Sequence, residues 1–190
     1  MTKHFFKKVH LVGIKGVAMT ALAIYLKEKG FKVSGSDIKE IFSTDKILEE
    51  QKIPILPGFK AENIKKDLDL VVVTGAHGGG TNIEAVQAKK YSLKTYMHGQ
   101  YLGTIMNEKF GIAVSGCHGK TTTSSMVALI LKEAGLDPSY AIGTAFIINI
   151  GPAGHYGRGV FFIAEADEYM TCPLTDKTPR FLYLEPKIAV

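Results

Sequence analysis

The sequence predicts an α/β fold in which helices cover both faces of a parallel sheet. Strand-like apolar runs alternate with helix-like segments through the first half of the chain, and this alternation produces parallel sheets. Glycine-containing loops join a strand to a helix near Gly13 and again near Gly116. A chain of 190 residues, 46% hydrophobic and 22% charged, fits a globular protein of one large or two small domains.

Five strands and three helices are predicted in the first 97 residues. The predicted strands are 8–14, 31–37, 53–56, 69–76 and 93–97. The predicted helices are 17–30, 43–52 and 81–91. The first helix ends at a glycine, and the other two begin beside Ser, Thr or Asn residues that cap helices.

Residues 98–108 are predicted to form a connecting helix, after which a new strand–loop–helix pattern begins. This restart favours a second domain over 109–190, with 1–97 as the first, although one continued sheet is the alternative. The glycine-rich segment 148–159 is predicted to be a loop, and Val160–Ala164 a strand.

Charge and cysteine content narrow the class of protein. The net charge of +5 comes from scattered lysines rather than a basic stripe, so no nucleic-acid partner is expected, whereas a polyanionic small substrate fits. Two cysteines, spaced neither as a disulfide framework nor as a zinc site, indicate a reducing compartment. With no signal peptide evident and no apolar stretch of the ~20 residues that span a bilayer, we expect a cytoplasmic protein without a membrane partner. The oligomeric state is left open.

The first glycine loop does not match a dinucleotide-binding fingerprint. Starting from Gly13, that fingerprint needs glycines at 15 and 18, where the chain has Lys15 and Ala18. A tight turn before a helix still presents backbone N–H groups to an anion. An NAD-dependent enzyme is therefore disfavoured, while a sugar-nucleotide site and a purely structural turn both stay open. Ser36 and Asp37 end the next strand, where they can meet a sugar or a base.

The second glycine loop predicts a phosphate site. The usual phosphate-binding loop has four residues between its first glycine and Gly-Lys-Thr, but Gly116 to Gly119 is two residues shorter. This contraction argues against a kinase or GTPase of the standard type. Lys120 is a charge for phosphate oxygens, and the Thr121 hydroxyl is a natural Mg²⁺ ligand.

An acidic strand end supplies a second Mg²⁺ ligand. The strand that ends at Ala164 delivers Glu165, followed by Asp167 and Glu168. Ligands bind at the carboxyl edge of an open α/β sheet, so Glu165 and Thr121 are expected on the same edge. A solvated strand end is the alternative for Glu165.

Four motifs together resemble the Mur ligase family: "GIKGVAM…SGSD", "VVVTGAHGGGTNIEA", the contracted "SGCHGKTTT" and "AEADE". The resemblance covers essentially the whole chain. It implies a Rossmann-like UDP-sugar-binding domain at 1–97, a connecting helix at 98–108, and the truncated first part of a P-loop ATPase α/β domain at 109–190. Lys15, Cys117, His98 and Tyr169 depart from the family pattern.

The resemblance also assigns residues. Those implied to bind the UDP-sugar are Gly13, Ile14, Lys15, Gly16, Val17, Ser36, Asp37, Thr74, His77, Asn82, His118 and Glu168. Those implied to bind ATP are Gly116, Cys117, His118, Gly119, Lys120, Thr121 and Thr122. Lys120 and Glu165 are the implied catalytic residues, and Thr121 and Glu165 the implied Mg²⁺ ligands.

The implied reaction is ATP-driven amide formation in peptidoglycan synthesis. The carboxylate of UDP-N-acetylmuramate takes the γ-phosphoryl group, and the amine of L-alanine displaces phosphate from the acyl phosphate. With Tyr169 after Glu168, the acidic motif instead resembles that of a recycling ligase, which attaches a preformed murein tripeptide to the same UDP-sugar. The chain is expected to be an incomplete, inactive fragment, so a non-catalytic UDP-sugar-binding fragment is the third interpretation.

Overall fold

The computed structural model describes residues 7–190 and confirms the predicted α/β fold with a parallel sheet. The first six residues of the predicted first domain lie outside the described part. The secondary structure forms two five-stranded sheets and one small antiparallel pair of strands. The division into domains at 97 and 108 stays a prediction.

The first sheet is entirely parallel and has the order β3-β2-β1-β4-β5. Its strands are β1 (Lys8–Val12), β2 (Lys32–Asp37), β3 (Ile55–Pro57), β4 (Leu70–Val73) and β5 (Thr95–Met97). The helices between them are α1 (Val17–Glu28), α2 (Asp45–Glu50) and α3 (Ile83–Lys90). The strand order reverses between β1 and β4, and ligands bind at such a reversal in open α/β sheets.

Helix α4 (His98–Met106) leads into the second sheet, which has the order β12-β6-β9-β7-β8. Its elements are β6 (Phe110–Val114), α5 (Lys120–Glu133), β7 (Ser139–Ile147), β8 (Gly151–His155), β9 (Phe161–Glu165) and β12 (Ile188–Ala189). The small pair, β10 (Met170–Cys172) and β11 (Asp176–Pro179), lies between β9 and a 3-10 turn at Arg180–Tyr183.

Helix α1 packs between the two sheets. All of its residues from Met19 to Leu26 are buried, because one side of the helix covers the first sheet and the other contacts β7 and β8. The Tyr25 ring packs edge-on against Phe162 of β9, with ring centroids 5.5 Å apart. A helix that is apolar all round is typical of such a sandwiched position.

The prediction of a loop at 148–159 is wrong for Gly151–His155, which form strand β8. Glycine and proline are tolerated there because β8 is an edge strand, paired antiparallel to β7 alone. Gly154 is required by the close approach of α1, since a methyl group at this position would overlap the Ala21 carbonyl oxygen. No helix within residues 7–190 has both the length and the apolar character to cross a bilayer.

Candidate functional site

The first glycine loop turns tightly from β1 into α1. Gly13 has a φ of +81°, and a side chain there would overlap Thr74 at the end of β4. The backbone N–H groups of Gly13 and Ile14 donate to the Ser36 carbonyl at 2.9 and 3.2 Å. Helix α1 begins after Gly16, which has no side chain to cap it. Its first N–H groups therefore remain open to an anion, and Val17 is partly exposed beside them.

Lys15 points away from this helix start. Its side chain is nearly buried, and Nζ donates to the Glu40 carbonyl at 2.8 Å and lies 3.2 Å from Asp45. The Thr44 hydroxyl donates to the Lys15 carbonyl. The ammonium therefore ties the loop to the start of α2 and does not reach the N-terminus of α1.

Ser36 and Asp37 are both buried beneath the loop. Asp37 accepts hydrogen bonds from the backbone N–H of Lys15 at 2.7 Å and of Ile38 at 2.8 Å, and it lies 3.7 Å from His77 Nε2. The Ser36 hydroxyl donates to Glu84 on α3. Both side chains are thus occupied in holding the loop.

Glu84 is the centre of a buried polar cluster that sequence reasoning missed. Its carboxylate accepts hydrogen bonds from Ser36, from Asn63 Nδ2 at 2.6 Å and from the Lys60 N–H at 3.0 Å, and it lies 3.3 Å from His10 Nε2. Burial by itself would raise the pKa of Glu84, but these hydrogen bonds outweigh burial and lower it. The available signal was polar residues, His10 and Ser36, inside otherwise apolar strands.

The loop after β4 reaches the same sheet edge. Thr74 packs on Gly13, and His77, with a φ of +51°, packs its ring 5.2 Å from Phe59. Asn82 is the N-cap of α3 and accepts a hydrogen bond from the Glu84 N–H at 2.9 Å. The structure therefore places Thr74 and His77 beside the first loop and gives Asn82 a capping role.

The second glycine loop lies exposed between β6 and α5. Gly116 has a φ of +135°, and Gly119, the N-cap of α5, has a φ of +78°. Cys117 and His118 form the exposed tip of the loop, and Thr122 is exposed on the first turn of the helix. The loop thus leads directly into a helix N-terminus, as an anion-binding loop requires.

Lys120 is held by acidic residues that follow β9. Its Nζ donates to the Gly116 carbonyl at 2.7 Å and to Glu168 Oε2 at 3.1 Å, and lies 3.9 Å from Asp167 Oδ1. The hydrogen bond to Glu168 and the nearby negative charges raise the pKa of Lys120. Lys120 therefore stays protonated at neutral pH.

Glu165 lies at the carboxyl end of β9, directly opposite Val114 of β6 in the parallel pairing. Its Oε1 accepts a hydrogen bond from the Gly143 N–H at 2.9 Å. Thr121 lines a 370 Å³ cavity with Thr144, the residue after Gly143. Thr121 thus lies near the segment of β7 that Glu165 contacts, and Glu165 contributes to the charge around Lys120.

Thr121 and Glu165 would suit Mg²⁺ only together with oxygen atoms of a bound ligand. Within residues 7–190 no group of three His, Cys, Asp or Glu side chains has metal-binding geometry. Mg²⁺ commonly takes one or two protein carboxylates together with phosphate oxygens and water. A threonine hydroxyl and a carboxylate beside a phosphate loop match that pattern.

An apolar cavity of 590 Å³ opens beside the second loop. It is lined by Ala113, Ser115, Gly116, Cys117, Ala166, Glu168, Phe181, Leu182, Leu184, Pro186 and Ala189. Its volume is in the range of small-molecule sites. Because its lining is mostly apolar, this cavity does not itself suit an anion. It lies beside the loop.

Sequence comparison finds one family and many similar proteins. The profile described as "Mur ligase family, catalytic domain" matches residues 8–110. The UDP-N-acetylmuramate–L-alanine ligase of Clostridium kluyveri is 46% identical over 164 residues, which are 86% of this chain and 35% of that protein. The ligase of the same name from Acetivibrio thermocellus is 43% identical over 186 residues, or 97% of this chain and 37% of that protein. The chain thus spans little more than a third of these relatives.

Two solved structures are similar over nearly the whole chain. The UDP-N-acetylmuramate:L-alanyl-gamma-D-glutamyl-meso-diaminopimelate ligase of Neisseria meningitides is 32% identical with a TM-score of 0.84, covering 97% of this chain and 60% of that one. The UDP-N-acetylmuramate–alanine ligase of Thermotoga maritima is 30% identical with a TM-score of 0.77, covering 96% of this chain and 40% of that one.

Proposed function

We propose that this chain, which belongs to the Mur ligase family, carries the UDP-sugar site and part of the ATP site of a peptidoglycan ligase. The full-length protein would join L-alanine to the carboxylate of UDP-N-acetylmuramate at the expense of ATP. The observation that carries this proposal is the contact of Lys120 with Glu168, which joins the phosphate loop to the acidic end of β9. The names of the similar proteins support the substrates.

The UDP-sugar would bind at the edge where β1 and β4 end. Its diphosphate would lie along the turn from Gly13 to Val17 and accept hydrogen bonds from the first N–H groups of α1, beginning at Val17, because the N–H groups of Gly13 and Ile14 already donate to Ser36. Thr74 and His77 flank that turn. Ser36, Asp37 and Asn82 would act indirectly, because their side chains hold the loops that form the site.

ATP would bind at the loop from Gly116 to Thr122. Lys120 would exchange Glu168 for phosphate oxygens and stabilise the charge of the transferred γ-phosphoryl group. Thr121 and Glu165 would hold Mg²⁺, which supplies further positive charge at the phosphates. His118 and Glu168 would then face the substrate and the metal centre.

The acyl phosphate formed in this way would be attacked by the amine of L-alanine. The chain spans little more than a third of its relatives, so we expect it to bind substrate but not to complete the ligation. We place the protein in the cytoplasm; both of its cysteines, exposed Cys117 and buried Cys172, are free thiols, as a reducing compartment favours.

A second candidate is the recycling ligase that adds a murein tripeptide to the same UDP-sugar. Tyr169 after Glu168 and the similarity to the Neisseria meningitides ligase favour it. Phosphate release by the full-length protein, measured with L-alanine and with L-alanyl-γ-D-glutamyl-meso-diaminopimelate, separates the two. Stimulation by L-alanine alone supports the first function, and stimulation by the tripeptide alone replaces it with the second.

Titration calorimetry on the 190-residue chain tests the site itself. We expect heat of binding for UDP-N-acetylmuramate and, separately, for ATP with Mg²⁺. Binding of the UDP-sugar without ATP would reduce the proposal to a UDP-sugar-binding fragment. Absence of binding for either ligand would overturn it.

A further inference from the structure

Arg180 lies where the edges of the two sheets meet, and the sequence motifs do not include it. It is the first residue of the 3-10 turn after β11, and its N–H donates to the Tyr169 carbonyl at 3.0 Å. The Phe181 N–H donates to the Asp167 carbonyl at 3.0 Å. These bonds fix the turn against the acidic segment that follows β9.

The Arg180 side chain extends from there to the first sheet. A methyl group on Gly75, after β4, would lie 3.6 Å from Arg180 Nη2, and one on Gly99, at the start of α4, would lie 3.2 Å from Arg180 Cγ. Glycine at 99 therefore leaves room for the Arg180 side chain, whereas glycine at 75 leaves room for the Thr171 carbonyl oxygen, which would lie 2.3 Å from that methyl group. The guanidinium lies between the loop that carries Thr74 and the segment that carries Asp167.

Most of the hydrogen-bonding capacity of this guanidinium is unused. A guanidinium has five N–H donors. Within residues 7–190, the one carboxylate within 4 Å of it is Asp167, whose Oδ2 lies 3.4 Å from Nη1. That carboxylate is shared with Lys120, and Arg180 Nε is buried without a partner in the described structure. The side chain is 28% exposed, so its terminal N–H groups are reachable.

Two further polar side chains at this junction each carry a polar atom that has no hydrogen-bond partner among the described residues. They are His98 and Thr171, which are 8% and 1% exposed, and whose Nε2 and Oγ1 make no hydrogen bond. Thr171 Oγ1 would lie 3.4 Å from a methyl group on Gly99, on the same side as Arg180. Burial and the Arg180 charge lower the pKa of His98 to about 4, so its imidazole is neutral. Buried polar groups without partners are uncommon in folded proteins and call for an explanation.

We propose that Arg180 binds the carboxylate of the UDP-sugar substrate at this junction, with His98 and Thr171 beside it. This inference rests on the proposed function. A substrate whose diphosphate lies at the Gly13 turn must cross the junction for its carboxylate to reach a phosphoryl group at Lys120. A guanidinium pairs with a carboxylate through two parallel hydrogen bonds, which an ammonium cannot do.

Calorimetry with two sugar nucleotides tests this role. UDP-N-acetylglucosamine has the same nucleotide and sugar as UDP-N-acetylmuramate but lacks the carboxylate. The wild-type chain is expected to prefer UDP-N-acetylmuramate. Arg180→Met is expected to weaken UDP-N-acetylmuramate binding about tenfold to a hundredfold, the range for hydrogen bonds to charged groups, and to leave UDP-N-acetylglucosamine binding unchanged.

The matched control is Arg158→Met, because Arg158 and Arg180 are the two arginines of the chain and Arg158 is exposed in the connection between β8 and β9. It should leave both affinities as they are. An Arg180→Met chain that keeps the wild-type preference, or loses both ligands equally, would overturn the carboxylate role. Equal binding of both ligands by the wild type would also overturn the carboxylate role, but it would still support a UDP-sugar site. Binding of neither by the wild type would overturn the proposed function as well.

Discussion

Lys120 Nζ lies 3.1 Å from Glu168 Oε2, so the cation of the phosphate loop is paired with an acidic residue that follows β9. The two residues are 48 positions apart in the sequence. Parallel pairing of β6 with β9 brings them together, because it places the carboxyl ends of both strands at one edge. An incoming phosphate must compete with Glu168 for the ammonium.

Replacing Lys120 tests this pairing as a phosphate site. Lys120→Met is expected to weaken binding of ATP with Mg²⁺ about tenfold or more, because a charged hydrogen-bond donor to phosphate is lost. Lys132→Met, in the last turn of the same helix, is the control and should bind ATP normally. Calorimetry measures both. Equal affinities in the two variants would remove Lys120 from the ATP site.

Gly154→Ala tests the contact between α1 and the second sheet. The added methyl group would overlap the Ala21 carbonyl oxygen, and overpacking of this kind typically costs about 1–3 kcal/mol of unfolding free energy. Gly30→Ala is the comparison. Gly30 has a φ of +95° but no described atom within 4 Å of the methyl position, so only backbone strain of about 1 kcal/mol is expected. Urea unfolding of both variants checks the order, and a smaller loss at Gly154 would contradict this packing.

His155 makes the contact between α1 and β8 dependent on pH. Its Nδ1 lies 2.7 Å from Glu28 and its Nε2 lies 3.2 Å from Asp137. The hydrogen bond to Glu28, with that to Asp137, raises the pKa of His155 despite partial burial. A raised pKa in the folded state stabilises the protein below the unfolded value of about 6.5, and this contribution disappears as the pH rises through the folded value.

We therefore expect His155→Asn to lower the unfolding free energy more at pH 5.5 than at pH 8. The groups are partly exposed, so the pH-dependent part should be no more than about 1 kcal/mol. At acidic pH the contribution should fall again as Glu28 and Asp137 take up protons. The pKa of Asp137 is lowered by the hydrogen bond from the Arg158 N–H and then by His155, and the contact with His155 outweighs burial and lowers the pKa of Glu28. An equal loss at pH 5.5 and pH 8 would show that His155 is not paired in this way.

Glu84→Gln tests the buried cluster beneath the first loop. The new amide group would face donors, the Asn63 side chain and the Lys60 N–H, where the carboxylate now accepts. Leaving a buried donor without its acceptor costs about 1–3 kcal/mol, so a loss of about 2 kcal/mol in unfolding free energy is expected. Glu62→Gln, on the exposed neighbouring 3-10 turn, should change it by no more than about 0.5 kcal/mol.

The positions of the two glycine turns could be predicted because their signals are local. The glycines at 13 and 116 and the apolar runs before them depend on backbone conformation and on the repeat of a strand or helix. The strand that ends at Glu165 was predictable for the same reason.

Features that depend on distant partners could not be predicted. The sequence of strand β8 predicts a loop because it contains Gly and Pro. The need for Gly154 is explained only by the close contact with α1. In the sequence, Lys15 is a candidate contact for an anion. In the structure, its ammonium group is paired with Asp45 of α2. Arg180 carries no motif, and only the packing of the 3-10 turn against Gly75 and Gly99 places it at the junction.

The sequence by itself determined the α/β class, the places where a turn can bind an anion, and the residue types available there. The tertiary structure decided which of those side chains are free. Ser36 and Asp37 were committed to the loop, and Arg180 was left with unused donors. The physical reason is that a hydrogen bond needs both partners within about 3 Å, and strand order and helix packing, rather than neighbouring residues, bring such partners together.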